Sequence, residues 1–468
     1  MRVMDATRTL AAWVALVAGA LPAAGCLMGP DYERPAVETR GGFREVPASR
    51  SLSLGEQRWS QVFQDATLQS LIRSAIERNL DVGIAAARIE QAEAQLGITR
   101  ADQLPTLSAG GSGGRQRIPQ QGPQPAVTSN FYQLSGTASW QLDFWGKLRR
   151  ASEAARADLL AAEWGRRAVI TTLVSDMATA YFQLRALDFE LDITKRTLVT
   201  RRQSLELVQL QERQGSVSLL DVRQAEQLVY GAAETITDLE RRIAQQENFI
   251  RTLLASNPGP VPRGRVLTDQ PHDAAVPAGL PSSLLQRRPD IRVAEERLIA
   301  ANARIGVARA AYFPDIALTA TGGFQSSALE TLFDAPARLW SIAGSLTQTI
   351  FAGGRIRAGV ELSEAQKREA LLSYRQTILQ AFREVSDALV AYSKNREFRA
   401  QQQQLTESAR DARRLSEQRY RGGTASYLEV LDSDTRTFDA ELGLAQAQLN
   451  ELLALVQIYR ALGGGWQP

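Results

Sequence analysis

The chain is poor in the residues that hold metals and disulfides. Among 468 residues there is one cysteine, Cys26, and one histidine, His272. A disulfide within the chain is impossible, and His/Cys metal clusters are excluded. Net charge is also scarce: 54 basic against 51 acidic residues leave +3. The pI of 9.1 is therefore no argument for a nucleic-acid partner. No run reaches 18 apolar residues, so no transmembrane helix is expected. Neither a GxSxG elbow nor a GxxxxGK[ST] loop occurs. No residue constellation supports an enzyme, and no metal or cofactor is expected. Proline is absent from 126 to 257 and from 337 to 467, and residues 360–421 lack both glycine and proline. That last stretch predicts a helix about 93 Å long at 1.5 Å per residue. Residues 166–214 are free of both as well. Helices of this length must pack side by side as coiled coils. In 360–421 the seam is Leu371, Tyr374, Ile378, Phe382, Val385, Leu389 and Tyr392, thinning to Phe398, Leu405, Ala409, Ala412 and Leu415.

The amino terminus reads as a targeting segment. Arg2 and Arg8 precede the apolar run Leu10–Leu21, which is too short to span a bilayer. Small residues then lead to Cys26, a pattern that resembles a bacterial lipobox. Residues 1–25 are then a lipoprotein signal peptide. Cys26 becomes the acylated amino terminus, carrying an N-acyl and an S-diacylglycerol group whose chains enter lipid. Leu27 follows, where Asp resembles an inner-membrane retention signal. This favours the outer membrane.

The chain also contains itself twice. Leu80–Leu107 realigns on Pro289–Ile316, with Asp81 on Asp290, Arg88 on Arg297, Gly97 on Gly306 and Pro105 on Pro314. Gly215 and Asp221 match Gly423 and Glu429. A near-constant offset means tandem duplication. The expected division is a lipid-anchored segment 26–64, a first repeat 65–257, a proline-rich linker 258–288 and a second repeat 289–468.

Each repeat carries two strand-like runs between its helices, expected near 106–117 and 131–144, and near 315–325 and 339–350. In Phe131–Phe144 one face holds Tyr132, Leu134, Ala138, Trp140 and Leu142, and the other Gln133, Ser135, Thr137, Ser139 and Gln141. Apolar-out, uncharged-polar-in alternation over about ten residues is the signature of a transmembrane barrel strand. A soluble sheet with one wet face is the alternative. Four strands cannot close, and an open edge in lipid is costly. Several copies must therefore share one barrel.

Two helical turns carry carboxylates. Glu212–Val222 holds Asp221, and Arg419–Asp434 holds Glu429 and Asp432. Helix-terminus electrostatics favour acids there by about 0.3–1 kcal/mol. Alternatively, copies arranged round an axis would make an acidic ring with Leu428 and Leu431 as apolar neighbours. Such a ring constricts and selects cations. Arg213, Arg419, Arg421 and Tyr420 are the expected partners.

With Gly29-Pro30-Asp31-Tyr32-Glu33-Arg34-Pro35, Gly279-Leu280-Pro281-Ser282, Arg287-Arg288-Pro289-Asp290-Ile291 and Leu462-Gly463-Gly464-Gly465-Trp466, the mature chain resembles a TolC-like outer-membrane factor of the NodT-type lipoprotein branch. The resemblance implies an α+β membrane protein of a Gram-negative outer membrane. It implies a homotrimer with a twelve-stranded barrel, four strands per chain, on a periplasmic tunnel of helices. It implies a passive gated exit duct for drugs or other small toxic compounds. The partners would be a periplasmic membrane-fusion adaptor and an inner-membrane transporter of resistance-nodulation-division type. Tyr420, Asp221, Glu429 and Asp432 match the family's closing iris, with Leu428 beside them. Ala425 stands where some members carry an arginine. A stand-alone diffusion porin or a lipid-anchored scaffold is the competing reading, and the long helices argue against the porin.

Overall fold

The computed structural model describes residues 27–37, 53–119, 126–270 and 281–467. Cys26 and His272 lie outside them. The main helices are α1 (Ala66–Arg78), α2 (Leu80–Ala101), α3 (Lys147–Arg213), α4 (Leu219–Leu253), α5 (Pro289–Ala310), α6 (Arg355–Arg421) and α7 (Tyr427–Ala461). The strands are β1 (Thr106–Ile118), β2 (Val127–Leu142), β3 (Asp315–Ser326) and β4 (Arg338–Thr347). The chain forms two compact units, one built from residues up to 35, 90–161 and 295–373, the other from 36–89, 162–294 and 374–468.

The first unit holds one antiparallel sheet in the order β1-β2-β3-β4. Its register sets Leu107 beside Ala138, Leu134 beside Phe324, and Gly322 beside Trp340. Because side chains alternate, Leu107, Leu134, Trp140, Leu318, Trp340, Ile342 and Leu346 share one face, while Ile118, Val127, Phe131 and Leu339 near the hairpin ends fall on the other. Trp340 is 80% exposed and Ile342 76%. The other face bears Ser, Thr and Gln, with Thr137 and Thr321 hydroxyls 3.3 Å apart. β4 stops at Thr347, short of the alternation in the sequence. Gly353 and Gly354, both at positive φ, turn the chain into α6.

Below the sheet, α3 and α5 meet through alanines: Ala154, Ala157, Ala300 and Ala303 form one buried cluster. Residues 27–35 lie against these helices as a strap. Met28 N–H donates to the Trp145 carbonyl at 3.2 Å. The buried Arg150 donates to the Met28 carbonyl at 3.1 Å, to Asp31 at 2.7 Å and to Glu153 at 2.7 Å. Asn302 Nδ2 holds the Pro30 carbonyl at 2.8 Å, and Arg34 pairs with Glu295 at 2.7 Å. Gly29 and Gly306 make this approach possible. A Cβ on Gly306 would stand 2.4 Å from the Met28 carbonyl oxygen, closer than any side chain tolerates.

The second unit contains the main core, including Leu68, Ile72, Met177, Tyr181, Leu184, Ile250 and Tyr459. Asp65 caps α1 by accepting from Thr67 N–H at 2.8 Å. Its other oxygen accepts from Tyr181 Oη at 2.9 Å, Arg265 N–H at 2.8 Å and Gln270 Nε2 at 3.0 Å. Burial pushes the Asp65 carboxyl up, but donors from Gln270, Tyr181, Arg265 and Leu68 outweigh it and hold it below the usual range.

The seam of α6 departs from the heptad reading after Tyr392. Tyr374, Ile378, Val385, Leu389 and Tyr392 are buried. Phe398 and Leu405 are each 55% exposed, and Leu415 is 49% exposed. The inward residues there are polar. Thr406 Oγ1 donates to the Ala440 carbonyl at 3.0 Å, and the Ser416 and Ser433 hydroxyls are 2.5 Å apart. A 3.6-residue helix drifts from a 3.5-residue stripe, and small residues on α7 allow close packing that large side chains would block.

Candidate functional site

The two helical turns are built on one plan. α3 ends and the chain reverses at Gly215, which has φ +74°; α6 ends and reverses at Gly423, φ +72°. Ser216 N–H donates back to the Gln211 carbonyl at 2.9 Å, and Thr424 N–H to the Arg419 carbonyl at 2.9 Å. These bonds satisfy carbonyls that a helix end leaves open. A small core then ties the tips together: Val208, Val222, Ala225, Tyr427, Val430 and Leu431, with Tyr420 against it.

The acids of the two turns have different partners. Asp221 closes a capping box: its Oδ2 accepts from Ser218 N–H at 2.9 Å and from Ser218 Oγ at 2.8 Å. Ser426, at the start of α7, makes no side-chain cap. Glu429 instead accepts from Arg419 Nη1 at 2.7 Å across the turn. Asp432 accepts from Arg436 Nε at 2.8 Å, one helical turn along. Both members of that pair are exposed. Of the arginines expected beside these acids, Arg419 is the one that pairs. Among the described residues Arg213 and Arg421 make no ion pair. Ala425 presents no charge.

Tyr420 bonds to a side-chain amide rather than to a carboxylate. Its hydroxyl donates to Gln211 Oε1 at 2.6 Å, and its ring lies 5.4 Å from that of Tyr427. Burial raises the Tyr420 phenol, and the Asp221 charge adds to it. Tyr427 is pushed up to about 12 by burial, then by Tyr420, Asp434 and Asp221. Leu428 is 62% exposed, as are Leu219 at 57% and Leu220 at 64%. The tips thus present leucines and acids outward from a sealed tyrosine layer.

Sequence reading missed the most buried ion pair here. Arg201 on α3 donates to Asp434 on α7 at 2.8 Å and to the Leu228 carbonyl of α4 at 3.1 Å. Its guanidinium lies 4.9 Å from the Phe438 ring. Arg413 of α6 stands 3.5 Å from the other Asp434 oxygen. Three helices meet at one carboxylate, and Arg201 ties in the fourth. The only hint in the sequence is the extra acid two residues past Asp432.

A family model described as "Outer membrane efflux protein" matches residues 71–256 and again 280–464. The chain belongs to the outer membrane efflux protein family. Among its relatives, the probable efflux pump outer membrane protein TtgC of Pseudomonas putida is 38% identical over 451 residues, covering 94% of this chain and 93% of TtgC. Outer membrane protein OprJ of Pseudomonas aeruginosa is 35% identical, covering 96% and 94%. The open-state crystal structure of the Neisseria gonorrhoeae MtrE outer membrane channel superposes with a TM-score of 0.86 at 32% identity, covering 94% of this chain and 99% of MtrE. As a member of this family the chain is an outer-membrane efflux channel with its helical tunnel in the periplasm, and it is not an enzyme. The family carries no cofactor, and the described residues include no cluster of metal-ligand type.

Proposed function

We propose that this efflux channel works as a homotrimer. Three chains close a twelve-stranded barrel, and the tips form its periplasmic gate. The observation that carries this is the four-stranded sheet with β1 and β4 as open edges and one continuous apolar face. In lipid each unpaired edge group costs several kcal/mol, so further copies must supply the missing neighbours. Cys26 carries the N-acyl and S-diacylglycerol lipid. The division is signal peptide 1–25, anchored segment 26–64, repeats 65–257 and 289–468, and linker 258–288. The duplication gives three chains a six-fold-like wall.

The duct receives cargo from a periplasmic adaptor and an inner-membrane transporter of resistance-nodulation-division type. Similarity to efflux components such as TtgC, and to relatives named for toluene and solvent efflux, supports small toxic or apolar compounds as cargo. The gate consists of Asp221, Tyr420, Leu428, Glu429 and Asp432. Removing the chain from its host should raise accumulation of a toxic dye or drug. Unchanged accumulation of every compound tried counts against efflux. Asp432→Ala frees Arg436 and removes a charge from each copy, and should raise single-channel conductance. Unaltered conductance removes Asp432 from the gate.

A further inference from the structure

The strands carry charge only at Arg115, Arg117, Asp315 and Arg338. The three arginines share two properties. All stand at the hairpin end of the sheet, opposite the end joined to the helices. All lie on the apolar face. Arg115 is in register with Asn130 and Arg117 with Thr128, two and four residues before Tyr132 on the same face of β2. Arg338 is in register with Phe324, which pairs with Leu134.

The apolar face has the height of a bilayer core. From Leu142 to Tyr132 the strand rises roughly 34 Å at 3.4 Å per residue. Tilted as barrel strands are, that is a band about 25 Å tall. Tyr132 stands at its outer edge, with Phe324 one row and Trp340 two rows further in, at the level where aromatic girdles sit. Arg115 and Arg117 follow one and two rows beyond Tyr132, at headgroup level. Arg338 starts one row inside that edge, and its long stem reaches outward to the interface. Arg115, Arg117 and Arg338 are exposed, and none pairs with a carboxylate among the described residues. Glu330 and Asp334 of that end lie in the β3–β4 connection, not on the strand face. Unpaired guanidinium groups pointing into lipid are costly unless an anion meets them, and their planar fork matches phosphate oxygens.

Resting on the barrel reading above, we infer that Arg115, Arg117 and Arg338 form a belt that binds the phosphate groups of phosphorylated lipid in the outer leaflet of the membrane. Three copies would repeat the belt around the barrel. The polar face, directed inward, carries no arginine and takes no part.

The test titrates the purified full chain in detergent with a bis-phosphorylated disaccharide lipid and with its dephosphorylated counterpart, read by native mass spectrometry. Insertion into phosphatidylcholine vesicles is measured in parallel. The wild-type chain should retain the phosphorylated lipid and release the other. The triple variant R115Q/R117Q/R338Q should bind the phosphorylated lipid roughly 100-fold more weakly, about fivefold for each arginine near an anionic surface. The triple lysine variant should retain most of the binding. Equal binding of the two lipids, or equal binding by wild type and the glutamine variant, overturns the belt. So does stabilisation by inorganic phosphate equal to that by the lipid. Should the glutamine variant fail to insert, the two-lipid comparison on the wild type decides alone. Failure of the wild type to insert overturns the barrel and the belt together, whereas insertion without lipid preference overturns the belt only.

Discussion

Arg201 Nε sits 2.8 Å from Asp434 Oδ2, with side chains only 7% and 10% exposed. The pair joins the long helix of the first repeat to the short helix of the second. Removing one partner leaves a buried charge alone, which costs about 3–5 kcal/mol. Asp434→Asn should therefore lower the apparent melting temperature sharply. The double variant R201M/D434L should recover most of it, because a packed apolar pair of similar volume is about neutral. A single variant that melts like wild type would remove this contact from the stability of the tips.

The two tip acids predict unequal responses to salt. Asp221 is held by its own N-cap, a contact worth about 1 kcal/mol. Glu429 depends on an exposed ion pair, worth about 0–1 kcal/mol and screened as ionic strength rises. Glu429→Gln should change channel conductance at low salt and much less at about 1 M, where the Debye length falls to about 3 Å. Asp221→Asn should act at both. Equal salt dependence for the two variants would contradict the pairing.

Asp65 predicts a pH response. Its folded carboxyl titrates below its unfolded value. The stability it supplies is complete above the unfolded pKa of about 3.9. It is lost as pH falls through the lower folded value. Asp65→Asn should flatten the acid limb of a thermal-stability profile and cost about 1–3 kcal/mol at neutral pH through weakened acceptors. An acid limb as steep as wild type would assign the response to other groups.

Arg150 predicts the fate of the strap. Arg150→Met removes the donors that hold the Met28 and Gly29 carbonyls and Asp31. Limited digestion with a glutamate-specific protease should then cut after Glu33 much faster than in wild type. An unchanged cutting rate would mean that Glu295 and Asn302 alone suffice.

The sequence made much of the architecture legible through simple physical signals. Missing glycine and proline announced the long helices, and period-two alternation announced strands such as the one around Trp140. Pattern failed where packing depends on small polar groups. Thr406, Ser416 and Ser433 carry no apolar signal, so a search for large side chains passed over the line along which α6 meets α7 and followed Phe398 and Leu405 instead. The tip acids were visible, but their partners were not. Arg419 and Arg436 lie on opposite sides of the carboxylates in sequence, and only three-dimensional reach decides which arginine meets which acid. Arg201 and Asp434 are 233 residues apart, beyond any local rule.

The strap has a mechanical meaning. Tension applied at its amino-terminal end meets Met28 and Arg150 within a few residues and does not travel on toward residue 37. Arg150 passes the load to α3, and Asn302 and Glu295 pass it to α5. A pull on the end that leads to Cys26 is thereby divided between two helices that pack on each other through alanines. The strap works as a fastener under shear rather than as a loose leash, and the first bonds to give should be those of Met28.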